Sequence, residues 1–270
     1  MSKHALRIAL ASAAFLLVRS LPLPLPALYG DAAVTLLAGA ACLLVFRITA
    51  DGEETESREA PRGASALPYL LLSAPFALLT LGVGQLCGLI GDLLGLAAPV
   101  YEADFLPLLV AGCLAAPLAE EIAFRLAVQR PLESKDPAGA VAVSAVLFAM
   151  MHTNAVQIPY ALVAGVALGA VAVASRTVWV PVAMHVSANL LSLCLMCAPK
   201  HTGLFLLLCG VASVPAVWWL IRSASSRRDL LRSLRPTEET SSVLRTLLSP
   251  PVAAVLCVLT LLTVMRHLGA

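Results

Sequence analysis

The chain has 270 residues, a formal net charge of +2 and a mean hydropathy of +0.90. Hydrophobic residues make up 60% of it and charged residues 13%, against about 25% charged residues in an ordinary soluble domain. The apolar residues form long continuous runs, which exclude a soluble domain with one core and a β-barrel of short alternating strands. The small net charge gives no indication of nucleic-acid binding. The composition therefore predicts an all-α, multi-pass membrane protein.

Apolar runs long enough to cross a bilayer, about 20 residues each, follow one another along the chain. The first run, from Lys3 to Val18, is similar to a signal peptide, but Arg19 follows it directly and no convincing cleavage site precedes Pro22. We therefore expect a retained first helix. The spans predicted from these runs number about nine, near residues 5–20, 28–46, 67–95, 105–129, 138–153, 157–175, 178–198, 203–222 and 250–267.

Three regions follow from this pattern. Residues 1–104 hold N-terminal helices with a charged, solvated loop at 47–66, residues 105–198 hold the polar motifs described below, and residues 199–270 hold C-terminal helices with a basic loop at 222–249. The basic loop should be cytoplasmic and could form a short amphipathic helix on the membrane surface. Counting spans back from it places the N-terminus in the cytoplasm. Three basic residues oppose this orientation: Arg19, Lys200 and Arg266.

Charged residues inside predicted spans are the informative ones, because burying them in hydrocarbon is unfavourable. The stretch 117–126 reads PLAEEIAFRL and carries Glu120, Glu121 and Arg125. Glu121 and Arg125 are four residues apart, so on a helix they share a face and can pair. Glu120 points about 100° away from Glu121, which leaves its carboxylate available. A purely structural ion-pair network remains the alternative at this point.

Two further spans carry polar residues at four-residue spacing. Phe148 and His152 share one helix face near the end of one span, and His185 and Asn189 share a face of another. Each pair alone is compatible with ordinary hydrogen bonding between membrane helices. Together with Glu120 they form a set suited to hydrolysis. A carboxylate and an imidazole can remove a proton from water, and an imidazole and an amide can donate hydrogen bonds to an oxyanion.

The three motifs resemble those of the CAAX-protease and bacteriocin-processing family, also called the ABI family. Its pattern is E-E-x-x-x-R, then F-x-x-x-H, then H-x-x-x-N/D on separate membrane helices. The corresponding segments here are EEIAFR at 120–125, FAMMH at 148–152 and HVSAN at 185–189. The resemblance covers about 105–198, and every signature position matches.

The resemblance implies an intramembrane endopeptidase of the glutamic type, similar to the enzymes that process prenylated CAAX proteins. It implies that Glu120 and His152 activate a water, that His185 and Asn189 form the oxyanion site, and that Glu121, Arg125 and Phe148 support the site. The substrate would be a membrane-associated protein or peptide, processed at its C-terminus, leader or sorting signal. We expect no cofactor, and we expect the chain in a bacterial inner membrane.

Two alternatives remain open. In the first, Glu120, His152 and His185 bind zinc and leave an open position for water, although H-E-x-x-H, in which one helix supplies two histidines, is absent from the sequence. In the second, the protein is not an enzyme and acts as a transporter, a bacteriocin-immunity factor or a scaffold. Polar residues in spans also line transport pathways, but the sequence shows no convincing internal repeat of the kind typical of transporters.

Overall fold

The structure is a computed structural model and describes residues 3–21, 27–49, 66–96 and 104–268. These residues form helices and no β-strand, which confirms the all-α prediction. The charged residues 51–62 and Glu102 lie outside the described residues. In chain order the helices are α1 (Lys3–Arg19), α2 (Ala27–Ile48), α3 (Leu67–Leu93), α4 (Phe105–Glu133), α5 (Pro137–Met150), α6 (Gln157–Ser175), α7 (Trp179–Cys197), α8 (Thr202–Arg222), α9 (Ala224–Leu234), α10 (Thr240–Leu244) and α11 (Pro250–Leu268).

Six helical segments in the described residues are long and apolar enough to cross a membrane, so the chain is an integral membrane protein. They are α3, α4, α6, α7, α8 with its preceding turn, and α11. Each of the nine predicted spans overlaps a helix, but a count of nine spans is not confirmed. The reason is physical: α5 has only 14 residues, the apolar segment Ala32–Ile48 of α2 has fewer than 18 residues, and α1 has 17 residues that include Arg7 and Arg19.

Helix α4 lies in the centre of the bundle, where it contacts α1, α2, α5, α6 and α7. One apolar core packs α4 against α1, α2, α5 and α11 and includes Phe124, Leu147 and Phe148. A second core joins α3, α6 and α7 and includes Phe76 and Leu168. The most buried turns of α4 are therefore held from several sides, and these turns carry Glu120, Glu121 and Arg125.

Small residues bring the helices around α4 close together. A Cβ added at Gly39 on α2 would lie 2.9 Å from the Cα of Ala119 on α4. A Cβ added at Gly165 on α6 would lie 3.0 Å from the Cα of Ala145 and 3.2 Å from the Phe148 ring. Membrane helices pack through such small residues because burial gives no hydrophobic gain between two lipid-like surfaces. The glycines thus fix how closely α2 and α6 approach the polar part of the bundle.

Helix α4 contains two π-helical stretches, Leu108–Ala115 and Ile122–Gln129, which flank the short α-helical turn Ala116–Glu121. Each stretch ends two residues before a proline, Pro117 in the first case and Pro131 in the second. A proline inside a helix supplies no N–H and clashes with the carbonyl four residues earlier. The wider π turn relieves this conflict, and such turns occur often at functional sites. The two prolines therefore account for the local winding on both sides of the paired glutamates.

The segment after α8 folds back against the loop between α4 and α5. Asp136 is fully buried and caps α5 by accepting the N–H of Gly139 at 2.6 Å. The same carboxylate accepts hydrogen bonds from the hydroxyls of Thr237 at 2.9 Å and Thr240 at 2.8 Å. The predicted basic loop thus contains helix α9 and is tied to the end of α4. Its location on a membrane surface stays a prediction.

Candidate active site

Glu121 is the buried carboxylate at the centre of the site. It is 0% exposed, and its Oε2 accepts a hydrogen bond from Nε of Arg125 at 2.7 Å. Its Oε1 lies 3.0 Å from Nδ1 of His185 on α7. The pair that the spacing predicted between Glu121 and Arg125 is therefore present, and His185 is a second partner that the spacing did not indicate.

The contacts of His185 determine where its ring hydrogen lies. Arg125 pairs with Glu121, so the carboxylate is ionised and only accepts hydrogen bonds, and Nδ1 of His185 must be the donor. The other nitrogen, Nε2, lies 3.9 Å from Oε2 of Glu120. In a neutral ring this Nε2 has a lone pair and no hydrogen. For His185 to donate from Nε2 the ring must carry a second proton, and the resulting cation would lie between two carboxylates.

Glu120 has a different environment from its neighbour. Its side chain is 22% exposed, whereas that of Glu121 is 0% exposed. Within the described part of the chain no hydrogen bond ends on the Glu120 carboxylate, and its Oε2 lies 3.9 Å from Nε2 of His185. The two adjacent acids are thus distinct: Glu121 is held on both oxygens, and Glu120 is available to a ligand.

His152 lies just beyond α5, in a turn and not in a helix. The predicted span ran to residue 153, but the helix ends at Met150, and Thr153 has a φ of +47°. The ring still faces back along the helix axis, because Nδ1 lies 3.0 Å from the carbonyl oxygen of Phe148. A carbonyl only accepts, so Nδ1 carries the hydrogen and Nε2 keeps its lone pair. That tautomer leaves Nε2 as a possible base.

Phe148 connects the two imidazoles. Its buried ring lies edge-on to His152 with centroids 5.0 Å apart, and edge-on to His185 with centroids 5.8 Å apart. The guanidinium of Arg125 lies over the same ring, 5.6 Å from its centre. Such edge-on and cation–π contacts favour a fixed ring orientation. No hydrogen bond joins His152 to Glu120 among the described residues. The second motif contacts the other two through the ring of Phe148, which lies against Arg125 of the first motif and His185 of the third.

Asn189 donates from Nδ2 to the carbonyl oxygen of Gly112 at 2.8 Å. Gly112 lies in the first π-helical stretch, where Ala116 N–H pairs with the carbonyl of Ala111. In that register the Gly112 carbonyl would receive the N–H of Pro117, which has none. Asn189 supplies the missing donor. One amide hydrogen of Asn189 therefore donates to the Gly112 carbonyl, and the second can donate to another acceptor.

A polar ladder continues from Arg125 toward the end of α4, and the sequence reasoning missed it. Arg125 Nη1 donates to Ser144 Oγ at 2.9 Å and to Gln129 Oε1 at 3.3 Å. Gln129 Nε2 donates to Glu133 Oε1 at 2.8 Å and to the Gly169 carbonyl at 3.1 Å. The four-residue spacing of 121, 125, 129 and 133 was a usable signal. The contact between Arg125 and Ser144 could not be predicted from spacing, since Ser144 lies on another helix.

The described residues contain no group of three or more His, Cys, Asp or Glu side chains arranged to hold a metal ion. Glu120 and His185 lie near each other, whereas His152 is connected to His185 through the Phe148 ring, which both imidazoles contact. The proposed zinc ligands are therefore not gathered as a set in this geometry.

These features define a class of protein: a helical, integral membrane protein with a buried glutamate–histidine–arginine cluster within its bundle. A comparison with protein families then gave a match to the family described as Type II CAAX prenyl endopeptidase Rce1-like, over residues 102–191. On this region the match confirms the resemblance inferred from the three motifs. No match was found among curated proteins or among solved structures.

The matched region coincides with the part of the chain that carries the site. It begins just before α4 and ends within α7, and it contains all three motifs. Members of such a family are proteases, and their substrates are membrane-associated peptides or proteins. Helices α1–α3 and α8–α11 lie outside the match, although α1 and α2 pack directly against α4.

Proposed function

We propose that the protein is an intramembrane endopeptidase that uses Glu120 and His152 to activate a water molecule. The observation that carries the proposal is the difference between the adjacent glutamates: Glu121 is 0% exposed and held on both oxygens, while Glu120 is 22% exposed and accepts no hydrogen bond from the described residues. A free carboxylate beside a buried cationic network is suited to accept a proton from water. The free lone pair on Nε2 of His152 supports its part as the second base.

The chemistry would proceed by direct attack of water. The water oxygen forms a bond to the scissile carbonyl carbon, while its proton passes to Glu120 or to His152. The carbonyl oxygen becomes an oxyanion, which His185 and Asn189 would stabilise by donating hydrogen bonds. Collapse of this intermediate breaks the C–N bond, and the leaving amine takes the proton back. A site that excludes most water strengthens each of these electrostatic contributions.

Glu121, Arg125 and Phe148 would support the site without taking part in proton transfer. Glu121 orients His185 through Nδ1 at 3.0 Å, and Arg125 holds Glu121 at 2.7 Å. This arrangement directs Nε2 of His185 toward Glu120. The oxyanion role of His185 then requires protonation on both nitrogens, for which two nearby carboxylates supply compensating charge. The protein would act on a prenylated C-terminus, a leader peptide or a sorting segment.

The experiment uses the purified full-length protein in lipid nanodiscs and two internally quenched peptides with the same CAAX-type end. One peptide carries an S-farnesyl group on its cysteine and the other does not. The proposal expects cleavage that disappears in Glu120→Ala, with mass spectrometry locating the cut. Cleavage of both peptides at equal rates would favour leader or sorting segments over prenylated tails. Cleavage that persists in Glu120→Ala would overturn the role of Glu120.

Metal dependence is tested on the same preparation. Elemental analysis and activity after treatment with EDTA or 1,10-phenanthroline distinguish a glutamic from a zinc-dependent peptidase. The proposed mechanism expects no stoichiometric zinc and full activity after chelation. Stoichiometric zinc that is lost together with activity, and activity that returns when zinc is added, would favour the zinc alternative.

We also propose that the chain lies in a bacterial inner membrane with α9 on the cytoplasmic side. The exposed arginines support this orientation, because basic residues accumulate on the cytoplasmic side of membrane helices. They are Arg222, Arg227, Arg228, Arg232, Arg235 and Arg245. Single cysteines introduced into α9 of a cysteine-free variant should resist a membrane-impermeant maleimide in intact cells and react after lysis.

A further inference from the structure

The end of α11 contacts the turn that carries His152, although these parts are more than a hundred residues apart in the chain. Nε2 of His267 accepts a hydrogen bond from the N–H of Ala155 at 3.0 Å. Nη1 of Arg266 lies 3.4 Å from the carbonyl oxygen of His152 and 3.4 Å from the hydroxyl of Thr153. Both residues lie outside the region that matches the family, so the family pattern assigns them no role.

The conformation of the turn 152–155 depends on contacts from other parts of the protein. Thr153 has a φ of +47°, a conformation that is unfavourable for a β-branched residue and persists where the surroundings impose it. Asn154 fixes the far side of the turn, since its Oδ1 accepts the N–H groups of Val156 and Gln157 at 3.0 and 3.1 Å. The N–H of Ala155 lies between two helices and has His267 as its acceptor.

The position of Arg266 is also explained by these contacts. In the predicted orientation it is a basic residue on the outer side, against the usual distribution. Its contacts with the backbone of His152 and the side chain of Thr153 give it a local partner in that position. The N–H of Ala155 is a donor, so Nε2 of His267 must have the lone pair and the His267 ring hydrogen lies on Nδ1.

We propose that Arg266 and His267 are positioning residues that hold the turn 152–155, and through it the imidazole of His152, in the orientation used for hydrolysis. The proposal rests on the proposed function for its kinetic part. The orientation of His152 depends on the Nδ1 contact with Phe148 on one side and on the backbone of the turn on the other. If α11 no longer holds the backbone, Nε2 changes direction, and a displacement of about 1 Å can lower a rate by about 100-fold.

The test compares the wild type with His267→Phe, His267→Gln, Arg266→Ala and the control Met265→Ala. Phenylalanine keeps a ring but has no acceptor, whereas glutamine offers a carbonyl oxygen in place of Nε2. Met265 is an exposed residue two positions earlier on the same helix and serves as the matched control. Each protein is measured for kcat, KM and thermal midpoint with the farnesylated peptide, and for ¹⁵N-histidine NMR signals in nanodiscs. The chain has five histidines, and His152→Gln identifies the His152 signal by its loss.

The proposal expects His267→Phe to lower kcat by about tenfold with KM nearly unchanged, and to shift the His152 signal while the His185 signal stays in place. His267→Gln should restore both, and Met265→Ala should change neither. Arg266→Ala, at an exposed position, should give a smaller decrease in kcat and is the second variant if His267→Phe does not accumulate. An unmoved His152 signal in His267→Phe or Arg266→Ala would overturn the proposal.

The NMR measurement also distinguishes failure of the positioning role from failure of the proposed function. If the wild type cleaves neither peptide, the proposed function fails, and the His152 signal still decides whether α11 holds the turn. If the wild type cleaves the peptide and His267→Phe has normal kcat, the positioning role fails while the proposed function stands. A parallel fall of thermal midpoint and activity without a shift at His152 would show a purely structural role and would also overturn the proposal.

Discussion

His185 donates from Nδ1 to Oε1 of Glu121 over 3.0 Å, and its Nε2 faces Oε2 of Glu120 at 3.9 Å. One imidazole thus lies against both members of an adjacent pair of acids. This relationship distinguishes the two glutamates by position, since Glu121 accepts from one ring nitrogen and Glu120 faces the other. It also makes the two ring nitrogens of His185 separable by mutation.

We predict that His185→Asn and His185→Gln differ. An asparagine amide occupies roughly the position of Nδ1 and can still donate to Glu121, whereas a glutamine amide reaches the position of Nε2. His185→Asn should keep a thermal midpoint near that of the wild type and lose activity. His185→Gln should lose the contact with Glu121 and unfold at a lower temperature. Equal thermal midpoints for the two variants would contradict the assignment of Nδ1 to Glu121.

Removal of Glu121 should destabilise the bundle far more than removal of Glu120. Glu121→Ala leaves the buried Arg125 and His185 without their carboxylate, and breaking a buried pair in this way costs about 3–5 kcal/mol. Glu120→Ala removes a carboxylate that is 22% exposed and accepts no hydrogen bond among the described residues. The matched pair is compared by chemical or thermal unfolding in one detergent. Similar losses of stability would show that the division between the two acids is wrong.

The contact between Asn189 and Gly112 should depend on Pro117. In the wild type, Asn189→Ala removes the donor to the Gly112 carbonyl and should destabilise the protein by about 0.6–2 kcal/mol, as interhelical hydrogen bonds in membranes do. Pro117→Ala supplies a backbone N–H that can reach that carbonyl. The effect of Asn189→Ala should therefore be smaller in the Pro117→Ala background. A double-mutant cycle measures this coupling, and a coupling energy near zero would argue against it.

A side chain added at Gly169 should disturb the polar ladder. A Cβ at this position would lie 2.8 Å from Oε1 of Gln129 and 3.4 Å from Nη1 of Arg125. We expect Gly169→Ala to destabilise the protein by about 1–3 kcal/mol and to lower activity by shifting Arg125. Gly210→Ala is the control, since a Cβ there meets no atom within 4 Å. If both variants behave alike in unfolding and activity, the ladder has no part in holding Arg125.

The sequence allowed the helices and part of the site to be predicted, for identifiable reasons. Long apolar runs can only be helical in a bilayer, since the backbone must satisfy its own hydrogen bonds there. The Glu121–Arg125 pair followed from four-residue spacing within one helix. The His185–Glu121 contact could not follow from spacing, because 64 residues separate the two. The roles given to Glu120, His152, His185 and Asn189 stay predictions.

Other features had a signal in the sequence that was not used. Pro117 lies inside an apolar run and Pro131 lies just after its end. The two prolines could have predicted irregular winding in α4, but not that the π turns would leave the Gly112 carbonyl for Asn189. The end of α5 was placed too late, because the run of apolar residues continues to Met151 while the helix stops before the strained Thr153. The support given by His267 depends on the packing of α11, which spacing alone does not determine.

The central claim is that Glu120 removes the proton from the attacking water. Its most direct test is the single-turnover rate of peptide cleavage by wild type and Glu120→Gln, with the cleaved bond assigned by mass spectrometry. The substitution keeps the size of the side chain and removes its basicity. We predict a loss of at least about 100-fold in rate with an unchanged thermal midpoint. Cleavage by Glu120→Gln at a rate close to that of the wild type would contradict the claim.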